Sequence, residues 1–394
     1  MNRKMSKNVF ALLVLCSFFL LSGIANAEIK IGLGNIMSGP FAAWGLDAKA
    51  GMEMAIEEIN AKGGIKGEKV VLLARDDGLD TTKAALQAEE LIYKEKVIAY
   101  FPSTITGSAK ATIPVCIKAG VPALLGAQQS DITCQLQGVG EKEGYCNPWV
   151  FRFGGTVSRQ ADAMVKMARD KLKGNRVALM HDNIGYGLEW KADLTKAAAA
   201  NNVEFVASEM FPLMELDYTA ALIRVRNANP DVIVVGTLGA PAARIYNTMK
   251  KLGMNQPLLL CEAAVELAYR TTAIDMGEGA YIAMTQNTPY DTSNRKFAEF
   301  ARMWSKKYSN LGYSDVLLTQ PCAFHYYDAM HYLALVIEKY GKDRKKIRDG
   351  MERLGPYKGI SGITYIFNKD KHNAQSHIPF RMYRFHKGKM LLAE

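Results

Sequence analysis

Along the chain, short apolar runs typical of buried strands alternate with segments whose apolar residues recur at helical spacing. Residues 28–36, "EIKIGLGNI", and 69–75, "KVVLLAR", are short apolar runs of the kind found in buried strands. Between them, Met52, Ala55, Ile56 and Ile59 lie on one helical face, which predicts a helix in "LDAKAGMEMAIEEINAKGG", ended by its glycine pair. The opening of the chain is therefore a strand–helix–strand unit.

The same alternation continues through two long series of units. Apolar strand patterns occupy residues 97–101, 121–126, 176–182, 203–211, 231–237 and 257–262. Amphipathic helix patterns occupy residues 80–95, 108–119, 159–174, 188–200, 217–229 and 241–253. Strands that alternate with helices form parallel βα units. The pattern predicts an α/β fold with doubly wound sheets in two comparable halves, separated by a polar segment at residues 133–149.

The last part of the chain has a different pattern. Residues 294–308, 320–341 and 344–355 are helical with no strong strand between them, and alternating strand patterns return only at 362–368 and 379–392. Helices without strands of their own must cover a sheet built elsewhere. We therefore expect the chain to return to the first half and then cross back. The predicted division is residues 28–150 plus 284–355 in lobe 1 and residues 151–283 plus 356–394 in lobe 2.

The N-terminus has the three parts of a secretory signal peptide. Basic residues at positions 3, 4 and 7 precede an apolar run over 9–21, and "ANA" at 25–27 provides a small-residue cleavage site. The apolar run is too short to span a membrane as a helix. Residues 1–27 are therefore predicted to be a signal peptide, and the mature protein is predicted to be soluble and exported.

Net charge and length narrow the class of protein. The formal charge of +10 becomes +7 without residues 1–27, which hold three basic and no acidic residues. Lys and Arg are scattered beside Asp and Glu, and the longest basic run is residues 342–348, so a nucleic-acid partner is not expected. The remaining 367 of the 394 residues exceed one core of usual size, which predicts two domains.

Cysteine usage predicts one disulfide bond. Of six cysteines, Cys16 leaves with the signal peptide, and Cys134 and Cys146 bracket a polar, glycine-rich segment. In an oxidising compartment this pair is the best candidate for a bridge. Cys116, Cys261 and Cys322 lie in apolar segments and are predicted to be buried small hydrophobic residues.

Motifs for catalysis and cofactors are missing from the sequence. The six histidines do not pair with Cys or carboxylates at metal-ligand spacing, so no metal site is expected. Residues 32–39, "GLGNIMSG", have the wrong glycine spacing for a dinucleotide, and neither a GxSxG motif nor a phosphate-binding P-loop occurs. Asp76 and Asp77 point apart at a strand end, which favours a turn role over an acid–base pair. We expect neither a cofactor nor an enzyme.

Strand ends instead supply groups that bind small molecules. In open parallel sheets, ligands bind beyond the carboxyl ends of the strands. The residues at these ends are Phe41, Trp44, Ser103, Thr104, Thr106, Ala127, Gln128, His181, Asp182, Tyr186, Leu238 and Glu262. Hydroxyls and helix-start N–H groups suit a carboxylate, and an acid suits an amine. For Phe41 and Trp44, in the predicted loop "MSGPFAAWG", the alternative is that both rings only cap the core.

These segments carry a family resemblance. Residues 31–80, with "KAGVPALLGAQQSDIT", "VALMHDNIGYGLEW", "DYTAALIRVRNANPDVIVVGT" and "LLLCEAAVEL", resemble the periplasmic leucine/isoleucine/valine-binding proteins, the type I substrate-binding components of ABC importers. The resemblance spans nearly all of the mature chain. It implies two Rossmann-like lobes joined by three crossovers that close on a ligand, a monomeric protein, and a permease partner in the inner membrane.

The resemblance also implies a set of ligand-binding residues. Trp44 takes the position of the family's first aromatic, and Thr106 that of the hydroxyl that holds the ligand carboxylate. Ala127 and Gln128 take the positions of the backbone donors, Tyr186 that of the closing aromatic, and Glu262 that of the acid that binds the α-ammonium. The sequence departs from the family at Gln128, where Thr is common, and at Leu238, where an aromatic can stand.

The function implied is amino-acid binding for import. The expected ligand is a branched-chain or other apolar amino acid, with Phe41 and Trp44 forming the apolar wall of the first lobe. Two alternatives stay open: an α/β enzyme, for which no reactive group is found, and a binding protein for aromatic carboxylates or amides. An ion pair of Glu262 within its own lobe is the alternative to ligand binding by that residue.

Overall fold

The fold was analysed in a computed structural model of the chain. The structure describes residues 28–128, 133, 147–264, 267–284, 295–308, 321–360, 362–374 and 380–393. The predicted signal peptide, residues 1–27, lies outside this part of the chain, as do Cys134 and Cys146. Within the described residues, no helix is long and apolar enough to cross a membrane.

Strands and helices alternate as the periodicity predicts. The strands are β1 (Ile29–Asn35), β2 (Val70–Asp76), β3 (Ala99–Phe101), β4 (Ala123–Leu125), β5 (Val150–Arg152), β6 (Arg176–Asp182), β7 (Glu204–Phe211), β8 (Val232–Gly236), β9 (Leu258–Leu260), β10 (Tyr281–Met284), β11 (Tyr357–Lys358), β12 (Thr364–Tyr365), β13 (Arg381–His386) and β14 (Lys389–Leu392). The structure thus adds three short strands, β5, β10 and β11, that the pattern did not show. The α-helices are α1 (Ala42–Ala61), α2 (Thr81–Glu89), α3 (Thr106–Ala119), α4 (Val157–Lys166), α5 (Gly185–Ala200), α6 (Thr219–Asn227), α7 (Gly239–Lys251), α8 (Leu267–Thr272), α9 (Arg295–Tyr308), α10 (Pro321–Tyr340) and α11 (Arg344–Arg353).

Two separate sheets form the cores of the two halves. The first has the order β2-β1-β3-β4-β5, with every pair parallel. The second has the order β14-β13-β10-β9-β8-β6-β7, parallel from β7 to β10 and antiparallel at β13 and β14. Parallel strands need helical crossovers, and these helices bury both faces of each sheet. In both sheets the parallel strands direct their carboxyl ends to one edge.

Helix α10 packs against the first half of the chain. It packs along α1, and the contact is close at Gly51, where an added Cβ would lie 2.0 Å from the carbonyl oxygen of Ala323. The hydroxyl of Tyr326 donates to the carbonyl of Pro102, at the end of β3, over 3.0 Å. The start of α10 is thereby fixed beside the strand ends of the first sheet.

Residues 357–374 also contact the first half. Phe367 makes an edge contact with Phe153 at 5.0 Å between ring centroids, and His372 stacks on Phe151 at 4.2 Å. The backbone N–H of Arg152 in β5 donates to the carbonyl of His372 over 2.8 Å. Within residues 356–394, which the predicted division places in lobe 2, β13 and β14 pair with the second sheet. The division into lobes stays a prediction. A weak strand pattern at 362–368 could not reveal which sheet edge the segment joins.

Helix α1 begins earlier than its apolar stripe indicates. The stripe predicts a start at Leu46, and the helix begins at Ala42, with Phe41 as its N-terminal cap residue. Gly45 permits this start because an added Cβ would lie 1.8 Å from the carbonyl oxygen of Ile36. Trp44 therefore lies in the first helical turn instead of a loop.

Candidate functional site

A small cleft, partly open to solvent, lies where the strand ends of the two halves face each other. Most of its lining follows strands of the two sheets, and two residues come from the start of α10. The lining residues are Trp44, Thr104, Ile105, Thr106, Gly126, Gln128, Ile184, Tyr186, Leu238, Ala263, Cys322 and His325. Clefts at strand ends are the usual ligand sites of open α/β sheets.

The first half supplies hydroxyl groups and a helix N-terminus. Helix α3 begins at Thr106, and the preceding Ile105 offers no side-chain cap to its first N–H groups. The N-terminus of a helix carries partial positive charge and favours anions. Thr104 lies in the loop before it, and the fully buried Asn35 accepts hydrogen bonds from the Thr104 N–H and hydroxyl at 3.1 and 3.0 Å. The helix N-terminus suits a carboxylate.

The second half supplies Tyr186 from the first turn of α5. The buried Asp182 accepts hydrogen bonds from the N–H groups of Ile184 and Gly187 at 3.2 and 3.1 Å and so fixes the start of that helix. Burial raises the pKa of Asp182 to about 6. Burial also raises the pKa of Tyr186 well above its usual value, so its hydroxyl remains protonated at neutral pH.

A hydrogen-bond network connects the two halves at Gln128. Its Nε2 donates to Oε2 of Glu262 over 2.5 Å, and its Oε1 accepts from Tyr186 and from Nε2 of Gln160, both at 3.0 Å. Oε1 of Gln160 accepts from the backbone N–H of Glu262 over 2.9 Å. Gln160 and Glu262 are fully buried. The network joins residues far apart in sequence around one buried carboxyl group.

The structure brings together most of the residues proposed from sequence. Trp44, Thr106, Gln128, Tyr186 and Leu238 line the cleft. Glu262 is buried behind this lining and contacts Gln128, and Ala127, 1% exposed, precedes Gln128.

Phe41 has a different environment from Trp44. It is 2% exposed within the main hydrophobic core and does not line the cleft, so its ring caps the core, the alternative that the loop pattern left open. Phe41 lies directly before α1 and Trp44 lies in its first turn, but only Trp44 lines the cleft. Sequence spacing alone could not separate them, because the helix start was predicted four residues late.

Sequence reasoning missed the two lining residues of α10, Cys322 and His325. Both are separated by some sixty residues or more from the other lining residues. The one available signal was the strand-free helical segment, which indicated a return to the first half without indicating its position. Burial lowers the pKa of His325 to about 3, so the ring is neutral at physiological pH.

The pKa of His325 predicts a pH-dependent stability. Between pH 6.5 and 3 the unfolded chain binds a proton at this residue that the folded protein does not, so stability falls as pH falls. Relative to His325→Gln, wild type should lose about 2 kcal/mol of unfolding free energy from pH 7.5 to 5. Urea unfolding at both pH values measures this difference. Exposed His386, replaced by Gln, is the control; an equal pH dependence in wild type and His325→Gln would contradict the prediction.

The three described cysteines agree with expectation. Cys116, Cys261 and Cys322 are buried, as predicted, and burial raises the pKa of Cys261 to about 12. In the part of the chain that the structure describes, no cluster of His, Cys, Asp and Glu side chains could hold a metal ion. The bridge between Cys134 and Cys146 lies outside the described residues and stays a prediction.

Comparison with known proteins identifies relatives along most of the chain. Residues 28–389 match the family model described as "Periplasmic binding protein". The Leu/Ile/Val-binding protein homolog 7 of Brucella abortus (strain 2308) is 27% identical over 376 residues, covering 93% of this chain and 91% of the relative. These relatives are binding proteins and not enzymes, in agreement with the sequence-based expectation.

Solved structures share the fold. The branched-chain amino acid transporter substrate-binding protein LivJ of Streptococcus pneumoniae, in complex with isoleucine, has a TM-score of 0.80 and 25% identity over 93% of this chain and 99% of its own. A type 1 periplasmic binding protein from Bordetella pertussis has a TM-score of 0.83 and 26% identity over 93% and 100%. A Rhodopseudomonas palustris solute-binding protein in complex with benzoate, 19% identical over 93% and 95%, has a TM-score of 0.79 and shows the fold alone.

These matches confirm the predicted α/β fold class of type I periplasmic binding proteins. They also confirm the resemblance to the leucine/isoleucine/valine-binding proteins on which the site residues were assigned. The chain belongs to the periplasmic binding protein family.

Proposed function

We propose that this protein is the extracytoplasmic solute-binding component of an ABC importer and binds an apolar amino acid in the cleft. It acts as a monomer in the periplasm and delivers the ligand to a permease in the inner membrane. The observation that carries the proposal is a cleft with a buried carboxyl group, Glu262, on one side and the uncapped N-terminus of α3 on the other. A zwitterionic amino acid has an ammonium that suits the carboxyl group and a carboxylate that suits the helix N-terminus.

Each part of an amino acid has a matching wall. The ligand carboxylate is assigned to Thr106 and the first N–H groups of α3, where the helix favours an anion. The ligand ammonium is assigned to Glu262, because a carboxylate favours a nearby cation and its two oxygens can accept further hydrogen bonds beside the one from Gln128. Trp44, Ile184 and Leu238 provide apolar contacts for the ligand side chain. The isoleucine named for the LivJ neighbour is a ligand of this class.

The second candidate ligand is an aromatic carboxylate. The observation that favours it is the 2.5 Å contact from Gln128 Nε2 to Glu262 Oε2, which gives this carboxyl group a protein partner without a ligand amine. A carboxylate has two oxygens and about four acceptor positions, so one amide does not exclude an ammonium. Benzoate, named for one structural neighbour, serves as the comparison ligand.

Ligand-induced stabilisation tests the proposed function. Leucine or isoleucine at one hundred times its dissociation constant should raise the unfolding free energy by about 2.7 kcal/mol, because the ligand binds only the folded state. Thermal unfolding with a panel of amino acids and aromatic acids measures this, and mass spectrometry of the recovered ligand should find it unchanged. Stabilisation by benzoate but by no amino acid would support the second candidate, and chemical conversion of the ligand would contradict both.

We further propose that the two sheets and their helices form two lobes that close on the ligand. The contacts of residues 357–374 with the first half support placing the last crossover after Ala374. The network at Gln128 would then form only on closure, since Gln160, Tyr186 and Glu262 belong to the second half. Leucine should reduce the radius of gyration in small-angle scattering. Identical scattering curves with and without saturating leucine would contradict lobe closure.

A further inference from the structure

One oxygen atom, Oδ1 of Asn35, organises the polar loop of the cleft. Asn35 ends β1 and is fully buried. Its Oδ1 lies within hydrogen-bond distance of the backbone N–H groups of Ile36 and Thr104, at 3.0 and 3.1 Å. It also lies 3.1 Å from the Ser103 hydroxyl and 3.0 Å from the Thr104 hydroxyl.

The two backbone contacts determine the orientation of the amide. The oxygen and nitrogen of an Asn side chain are interchangeable in shape, so the assignment rests on the partners. A backbone N–H can only donate, and the Asn amide nitrogen can only donate as well. The atom that faces Ile36 N and Thr104 N must therefore be the oxygen.

The same atom then fixes the direction of the Thr104 hydroxyl bond. A carbonyl oxygen only accepts, so in the hydrogen bond between Thr104 and Asn35 the hydroxyl is the donor. Thr104 has one hydroxyl hydrogen, and Asn35 takes it. The Thr104 oxygen keeps its lone pairs and can still accept a hydrogen bond. Thr104 lines the cleft, and its side chain is partly exposed. Without the bond to Asn35, the Thr104 hydroxyl could donate its hydrogen to a ligand carboxylate instead.

From this geometry we infer that Asn35 makes Thr104 a dedicated hydrogen-bond acceptor of the cleft. The ligand group that meets Thr104 is a donor, an N–H or O–H, and Thr104 does not bind the ligand carboxylate. Asn35 acts as a positioning residue and Thr104 as a specificity-determining residue. This inference deepens the proposed function and, in its ligand part, rests on it: for an amino acid, the donor is the α-ammonium. The carboxylate is then left to Thr106 and the N–H groups of α3.

Ligand pairs with and without the donor test the role of Thr104. Leucine and 4-methylpentanoate differ only in the amine, so calorimetry with both measures what the amine contributes. Thr104→Val keeps the shape of the side chain and removes the acceptor. It should weaken the binding of leucine about 10-fold to 100-fold, the range for hydrogen bonds to charged groups. The same substitution should change the affinity for 4-methylpentanoate by less than about 3-fold. Thr104→Ser should restore leucine binding, and Thr195→Val, on the exposed face of α5, is the matched control.

A ligand-independent measurement keeps the inference separate from the proposed function. Neutron diffraction of the deuterium-exchanged protein without ligand should place the deuterium of Thr104 Oγ1 on the line to Asn35 Oδ1. A deuterium directed into the cleft, or equal weakening of leucine and 4-methylpentanoate by Thr104→Val, would overturn the inference. If leucine does not bind wild type, the amino-acid function fails, and the neutron result still decides the Thr104 orientation.

Discussion

Glu262→Gln is expected to weaken leucine binding by roughly 2–5 kcal/mol, which is about 30-fold to several thousand-fold. Glu262 is fully buried and lies beside the cleft, so a ligand ammonium paired with it is removed from water. The variant would leave that ammonium without its charged partner, and an unpaired buried charge is costly. Calorimetry with leucine on both proteins measures the loss.

The fold should tolerate this change. The Gln128 amide that donates to Glu262 can donate equally to the oxygen of a glutamine, and the backbone N–H of residue 262 keeps its bond to Gln160. Ligands without an amine, benzoate and 4-methylpentanoate, should bind the variant as well as wild type or better, because a like charge has been removed. Glu299→Gln, on the exposed face of α9, is the control. Unchanged leucine affinity in Glu262→Gln would remove the main support for the amino-acid ligand.

Gly51→Ala is expected to lower the unfolding free energy by about 3 kcal/mol, although alanine favours helix over glycine by about 1 kcal/mol. The added Cβ would lie 2.0 Å from the carbonyl oxygen of Ala323, a backbone atom that can move only with α10. The opposite signs of packing and helix propensity make the result decisive. Urea unfolding measures it, and leucine calorimetry should show weaker binding as well, because α10 carries Cys322 and His325 to the cleft.

Gly107→Ala is the matched control for the unfolding measurement. Gly107 is an exposed glycine in α3, and its added Cβ would make an ordinary contact, 3.4 Å from Cγ2 of Thr81. Here only helix propensity acts, so stability should stay constant or rise. A Gly51→Ala protein that is as stable as Gly107→Ala would show that the close contact of α1 and α10 is not present in solution.

The positions of the elements and many site residues could be predicted from sequence for one physical reason. Parallel strands all end at the same edge, so a list of strand-end residues is already a list of neighbours. Trp44, Thr106 and Tyr186 entered the site in this way, and the structure places them on the cleft. Basic residues scattered among acidic ones and the lack of catalytic and cofactor motifs likewise made a binding protein the expected class. The relatives confirm this class.

The sequence by itself determined the alternation of strands and helices, the two halves, and the chemistry available at their strand ends, because these depend on local periodicity. Tertiary structure alone decided which distant residues meet. The Gln128 bond to Glu262 spans 134 positions, and Asn35 reaches Thr104 across 69. Burial of Phe41 and the approach of His325 to the cleft likewise depend on how α1 and α10 pack. Packing contacts of this kind are set by shape complementarity between segments, and no local pattern records them.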